Sequence, residues 1–268
     1  MRVARFVLSI VLSSSFPFPS ASQQASVPAP TSSPQAATLL TQSATALAGN
    51  VALSDVTLSG TTRRIAGSDD DTGTAVFKAL ASGASRMDLS LSSGQRSEVC
   101  DFPATTPTGT WLGPDRISHP IAFHNLVSEP AWFFPAFAIA RRLSGSSYVV
   151  TYVAHETHNG QAVEHVSVAQ TSSDPTPSDE TFFEHLSRVE FFLDSPTRLL
   201  AAMSFNTHPD NNALLDIPIE VRFSDYRPVN GAQVPFHVQK YLNNNLILNF
   251  QVESVTLNSG LTASSFSL

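Results

Sequence analysis

The sequence predicts a mainly β fold with a few helices (α+β), built on one antiparallel sheet that buries a single face. Three observations carry this. First, Ile217 to Asn258 falls into three alternating runs cut by two turn clusters. Ile217, Ile219, Val221 and Phe223 face one way, and Pro218, Glu220, Arg222 and Ser224 the other. The pattern resumes with Val234, Phe236 and Val238 after Val229-Asn230-Gly231, and with Leu246, Leu248, Phe250 and Val252 after Leu242–Asn245. A repeat of two is that of a strand whose alternate side chains meet core and solvent. Second, Tyr148 to Ala169 reads as a hairpin turning on Asn159-Gly160, the strongest two-residue turn signal. Third, 268 residues that are 42% hydrophobic and only 14% charged, with 18 Phe, can bury the core of one large β unit without disulfides.

Taken in order, Met1 to about Ser22 has the form of a cleaved export signal. Arg2 and Arg5 make a basic start, Phe6–Leu12 a short apolar core, and Ser20-Ala21-Ser22 a small-residue cleavage site. The apolar run is far shorter than the roughly 20 residues a membrane span needs. Residues 23–37 are a Pro/Ser-rich disordered tether, and 38–268 the folded domain. Thr38–Leu47 predicts a helix stopped at Gly49. Val51–Leu58 and Gly60–Ile65 predict a strand with a break, and Ser68–Gly73 an acidic solvated turn. Thr74–Leu80, Ser85–Leu91 and Gln95–Val99 follow as a meander, and Phe102–Ser118 as a Pro/Gly/Thr-rich loop. His119–Leu143 holds the main helical candidate. Pro130 and Pro135 split it into two pieces joined near Phe134, with Arg141 and Arg142 complementing the dipole of the last turn. Beyond the Asn159-Gly160 hairpin, Thr171–Ser178 is a loop and Ser178–Ser187 a short helix capped by Ser178 or Asp179. Arg188–Leu193 and Arg198–Asn206 then pair over Asp194–Thr197.

The net charge of −7, two lysines (Lys78 and Lys240) and no basic run exclude nucleic acid and disfavour an anionic membrane surface. Cys100 is the only cysteine. Its acidic neighbours Glu98 and Asp101 oppose a thiolate, so it reads as a small buried residue at a strand end.

Candidate chemistry is thin. His155-Glu156-Thr157-His158 lacks the helical spacing of a zinc motif. A turn at Asn159-Gly160 pairs His158 with Gln161, Glu156 with Val163, His155 with Glu164 and Ala154 with His165. His155 and His158 then point to opposite faces, Glu156 comes within ion-pair reach of His165, and His155 with Glu164 shares the face of Val153, Val166 and Val168. No Gly-x-Ser-x-Gly or Ser-x-x-Lys occurs, and Glu184-His185 and His208-Pro209-Asp210 belong to one site only if the fold brings them together. No catalytic residue, metal or cofactor is therefore predicted. Trp132, Phe133, Phe134, Phe137 and Ile139 are apolar all round a helix. That fits either ordinary core beneath the sheet or a plug lining a hydrophobic cavity, opposite Val221, Phe223, Phe236, Leu248 and Phe250.

Several stretches together resemble the LolA/LolB-like lipoprotein-carrier superfamily. They are Asp71–Phe77 with Ser85–Leu89 and Gly94-Gln95-Arg96, the Tyr148–Val168 hairpin, Val189–Thr197, Phe223–Gly231 with Val234-Pro235-Phe236, and Val252–Asn258. The resemblance covers about residue 38 to the end. It implies a single curved antiparallel sheet forming an unclosed half-barrel, helices packed on its concave face, and a cavity able to hold acyl chains. On that reading the chain is an exported, monomeric, non-catalytic protein. Its partner is a lipid or the acyl chain of a lipoprotein, with transient contact to a membrane or an envelope protein. A binding or sensor module working through the open sheet edge is the alternative, and a secreted hydrolase the third.

Overall fold

The computed structural model describes residues 31–102, 106–127, 131–144, 147–171 and 177–268. Residues 1–30, where the leader and most of the tether are expected, lie outside them, as does Pro130. Helix α1 (Pro34–Ala48) precedes a meander of β1 (Asp55–Ala66), β2 (Asp69–Leu80), β3 (Ser85–Leu91), β4 (Gly94–Asp101), β5 (Thr108–Leu112) and β6 (Ser118–Pro120). Two helices, α2 (Phe123–Leu126) and α3 (Pro135–Ser144), lead to β7 (Tyr148–His158) and β8 (Gln161–Gln170). Helix α4 (Pro177–Ser187) precedes β9 (Val189–Asp194), β10 (Leu200–Thr207), β11 (Ile217–Val229), β12 (Ala232–Leu242) and β13 (Asn245–Leu257).

All 13 strands form one antiparallel sheet in the order β6-β5-β4-β3-β2-β1-β13-β12-β11-β10-β9-β8-β7, unclosed between β6 and β7. Those two edge strands are consecutive along the chain, so their connection must travel from one edge of the sheet to the other. It does so across the inner face. Trp132, Phe133, Phe134, Phe137 and Ile139 join one buried cluster with Phe77 of β2, Phe191 of β9 and Phe250 of β13. Leu39, Leu40 and Leu47 of α1 enter the same cluster. The half-barrel with helices on its concave face is the architecture present.

Local chemistry explains the hairpins. Asn159-Gly160, Asn230-Gly231 and Asn243-Asn244 all have positive φ at both positions, as a two-residue turn matched to strand twist requires. β1 runs unbroken through Ser59 and Gly60, where the sequence predicts a break, and its register on β13 shifts there by the extra residue Glu253, a bulge on β13. A Cβ on Gly60 would lie 2.0 Å from the Gln251 carbonyl oxygen, so only glycine fits. The end of the sheet is tied by Asp55, which is 1% exposed and accepts from the Ser259 and Gly260 N–H groups and from the Ser54 and Ser259 hydroxyls.

Several boundaries differ from the sequence expectation. Helix α1 starts at Pro34, because the Ser33 hydroxyl accepts the Ala36 N–H and Pro34 suits the first turn. Residues 34–37 are thus helix and not tether. Helix α4 starts at Pro177, which puts Ser178 and Asp179 inside its first turn and not at the cap. The acidic run is not a turn: Gly67-Ser68 turns the chain, and Asp69–Asp71 already belong to β2. Opposing charge stabilises it there, since Asp70 receives two hydrogen bonds from Arg63 across the β1–β2 pair. The predicted Phe102–Ser118 loop contains β5, paired with β4. The aromatic block is also less helical than expected. Ala131–Phe133 form a turn with positive φ at Ala131, and the helix begins only at Pro135.

Candidate functional site

The inner face is not filled throughout. A cavity of about 1120 Å³ lies toward the end carrying the β1–β2 and β12–β13 turns, and residues of both turns line it. The space is open to solvent on one side, a cleft in the inner face and not a sealed void in the core. Its apolar wall includes Phe77, Met87, Leu89 and Leu248, with Trp132 from the edge-to-edge connection. Phe77 is held by its neighbours, with ring centroids 4.4 Å from Phe250, 5.0 Å from Phe133 and 6.0 Å from Trp132.

Three cations share this wall: Arg64, Arg96 and Lys240, with Glu98 the one carboxylate among the lining residues. Strand parity puts them there. Arg64 follows the buried Val56, Leu58 and Thr62 on β1, and Lys240 follows Val234, Phe236 and Val238 on β12. Arg96 pairs with Leu89, which pairs with the buried Ala75. The Lys240 ammonium sits 4.6 Å from the centre of the Trp132 ring, a cation–π contact. The Arg64 Nη1, the Arg96 Nε and the Trp132 indole nitrogen are shielded from solvent and make no hydrogen bond among the described residues. Burial holds the Arg64 guanidinium below its usual pKa and the nearby Arg96 charge adds to this, against smaller opposing effects of Asp71 and Asp69. Hydrogen bonds from the Ser93 and Ser92 hydroxyls keep the Asp71 carboxyl below its ordinary range.

Of the ten residues the sequence singles out, Trp132 and Leu248 line this cavity. Phe133, Phe134, Phe137, Ile139, Val221, Phe223, Phe236 and Phe250 are buried together in the packed core. The block is therefore mostly core, with Trp132 at the boundary of the empty space. Phe77, Met87, Leu89 and the three cations escape the sequence reading. One signal for the cations exists, since Arg64 and Lys240 occupy apolar-parity positions in otherwise alternating strands.

The polar candidates lie elsewhere. His155 and Glu164 form the expected pair at 3.2 Å, joined by the Tyr152 hydroxyl and Arg198. The pair is not buried, because the His155 side chain is 59% exposed. A bulge between Tyr152 and Ala154 also turns Val153 out of the shared face. Glu156 reaches His165 at 3.1 Å as expected, and Glu190 takes the other ring nitrogen at 3.0 Å. The fold does bring His185 and His208 together, each Nε2 3.1 Å from Asp216 Oδ1. Among the described residues these three form the one group with metal-ligand atoms within 4.8 Å of one another. They line no part of the cavity. Asn125 of α2 holds His208 through both backbone groups, and His185 joins α4 to Asp216 in the same segment before β11; burial lowers the His208 pKa. Cys100 is buried at the end of β4.

No family model and no curated protein matches the sequence. Solved structures match the fold. A domain assigned as an outer-membrane lipoprotein-sorting protein from Vibrio parahaemolyticus superposes with a TM-score of 0.55, at 11% identity over 87% of this chain and 96% of that one. A LolA superfamily protein from Nitrosomonas europaea gives a TM-score of 0.50, at 10% identity over 87% and 97% of the two chains.

Proposed function

We propose that this chain, which has the open half-barrel fold of LolA superfamily proteins, binds the acyl chain of a lipid or lipoprotein in the cavity on its concave face and performs no catalysis on it. The observation that carries the reading is the cavity of about 1120 Å³ walled by Phe77, Met87, Leu89, Leu248 and Trp132 beside an otherwise packed core. That volume exceeds the roughly 300–1,000 Å³ of ordinary small-molecule pockets. An apolar space of this kind gains about 0.8 kcal/mol for each methylene it takes from water. Trp132 is the element of the site best placed to yield, since it comes from a turn and not from the sheet. The half-barrel shared with a domain assigned to lipoprotein sorting supports the same cargo class, and the leader Met1–Ser22 supports export. The protein then works as an exported carrier.

Thermal melting of delipidated protein tests this. Adding a long-chain fatty acid or phospholipid should raise Tm in proportion to the logarithm of free ligand. No rise at saturating lipid would exclude the carrier reading.

A further inference from the structure

We propose that the cavity selects an anionic amphiphile, with Arg64 and Arg96 holding a carboxylate or phosphate head group at the mouth while the tail runs inward. This rests on the reading of the cavity as a lipid site and names the class of lipid. The chain is acidic overall, with 22 Asp and Glu against 15 Lys and Arg, yet the cavity wall carries three cations and one carboxylate. The two guanidiniums lining one cavity repel each other, and one nitrogen of each is shielded from solvent. Such groups are ordinarily found paired.

The nearest carboxylates do not supply a partner by hydrogen bonding. The Asp71 oxygens accept from Ser92 and Ser93, and Asp71 acts on Arg64 and Arg96 through charge alone, with no hydrogen bond to either among the described residues. Every orphan polar atom on this wall is a donor: Arg64 Nη1, Arg96 Nε and Trp132 Nε1. A site with only donors to offer calls for an acceptor, and planar guanidiniums match the two-oxygen edge of a carboxylate or phosphate. Along the strands Arg64 stands at the turn end, while Arg96 is two register positions from the level of Phe77. Arg64 lies three residues from the β1–β2 turn, whereas Phe77 pairs with Leu58. Leu58 is six residues further along β1, about 20 Å at roughly 3.3 Å per residue.

The test is displacement of a bound fluorescent fatty-acid analogue by four competitors: oleate, oleyl alcohol, oleoyl-lysophosphatidate and oleoyl-lysophosphatidylcholine. Oleate should compete about tenfold or more better than the alcohol, as expected of hydrogen bonds to a charged group. Lysophosphatidate should likewise outcompete lysophosphatidylcholine. The larger of the two preferences identifies carboxylate or phosphate as the natural head. In Arg64→Gln/Arg96→Gln the preference for charged over neutral chains should vanish. If that double variant does not fold, the wild-type comparison and Arg96→Gln alone carry the test. Equal competition by charged and neutral chains on the wild type would overturn the head-group assignment and leave the cavity reading intact. No binding of the analogue at all would instead remove the cavity reading itself.

Discussion

Single residues divide into those that hold the sheet and those that shape the empty space. Asp55 belongs to the first group. Burial opposes its ionisation, but hydrogen bonds from Ser259, Gly260 and Ser54 more than compensate and keep its pKa below the usual value. The unfolded chain therefore takes up this proton at a higher pH than the folded one. The stabilisation is complete above about pH 4 and is lost as pH falls through the folded pKa. Acid unfolding followed by circular dichroism should show a flatter low-pH limb in Asp55→Asn. Asp55→Ala, which strands two buried N–H donors, should lose about 2–4 kcal/mol in urea titration. Leu89 belongs to the second group. Leu89→Trp should fill cavity volume, leave the lipid-free Tm unchanged or higher, and abolish the lipid-induced rise. Retention of the full rise would mean that the lipid sits elsewhere.

At the level of elements, the hairpins were legible because their determinants are local. Asn-Gly and Asn-Asn pairs set turn type, and turn type sets register, so His158–Gln161, Glu156–Val163, His155–Glu164 and Ala154–His165 pair as the sequence implies. Legibility ended where a distant partner decided. Pairing with β1 draws the acidic run into β2, and β4 recruits Thr108–Leu112 into the sheet against their loop-like composition. The bulge that turns Val153 outward has no local signal. Gly60 is the reverse case: the break it implied is absent, since β1 runs unbroken from Asp55 to Ala66 and the extra residue of the bulge is Glu253 on β13. Gly60→Ala must push its new methyl against the Gln251 carbonyl. It should cost about 1–3 kcal/mol, as overpacking does, with the loss read as a lowered urea midpoint at unchanged slope.

For the whole molecule, the strand pattern implied a wall with an apolar face but not whether that face was filled. Both outcomes occur. Phe133, Phe134, Phe137 and Phe250 close one part, while Arg64, Arg96 and Lys240 stand around the open part. The cavity was invisible in sequence because an unfilled volume is a property of how elements meet, and no residue pattern encodes it. If acyl burial drives binding, affinity should track chain length. A fatty acid two methylenes shorter should bind about 15-fold more weakly, at roughly 0.8 kcal/mol per CH₂ and 1.36 kcal/mol per decade. Isothermal titration across a chain-length series checks this, and a flat series would point to recognition of the head alone.

If the concave cavity is a lipid site, lipid should travel with the protein through purification. Native mass spectrometry of protein purified without detergent addresses it most directly. A population heavier than the polypeptide by one lipid mass is expected, released on collisional activation and restored by incubation with an anionic lipid. Polypeptide mass alone, before and after that incubation, would contradict it.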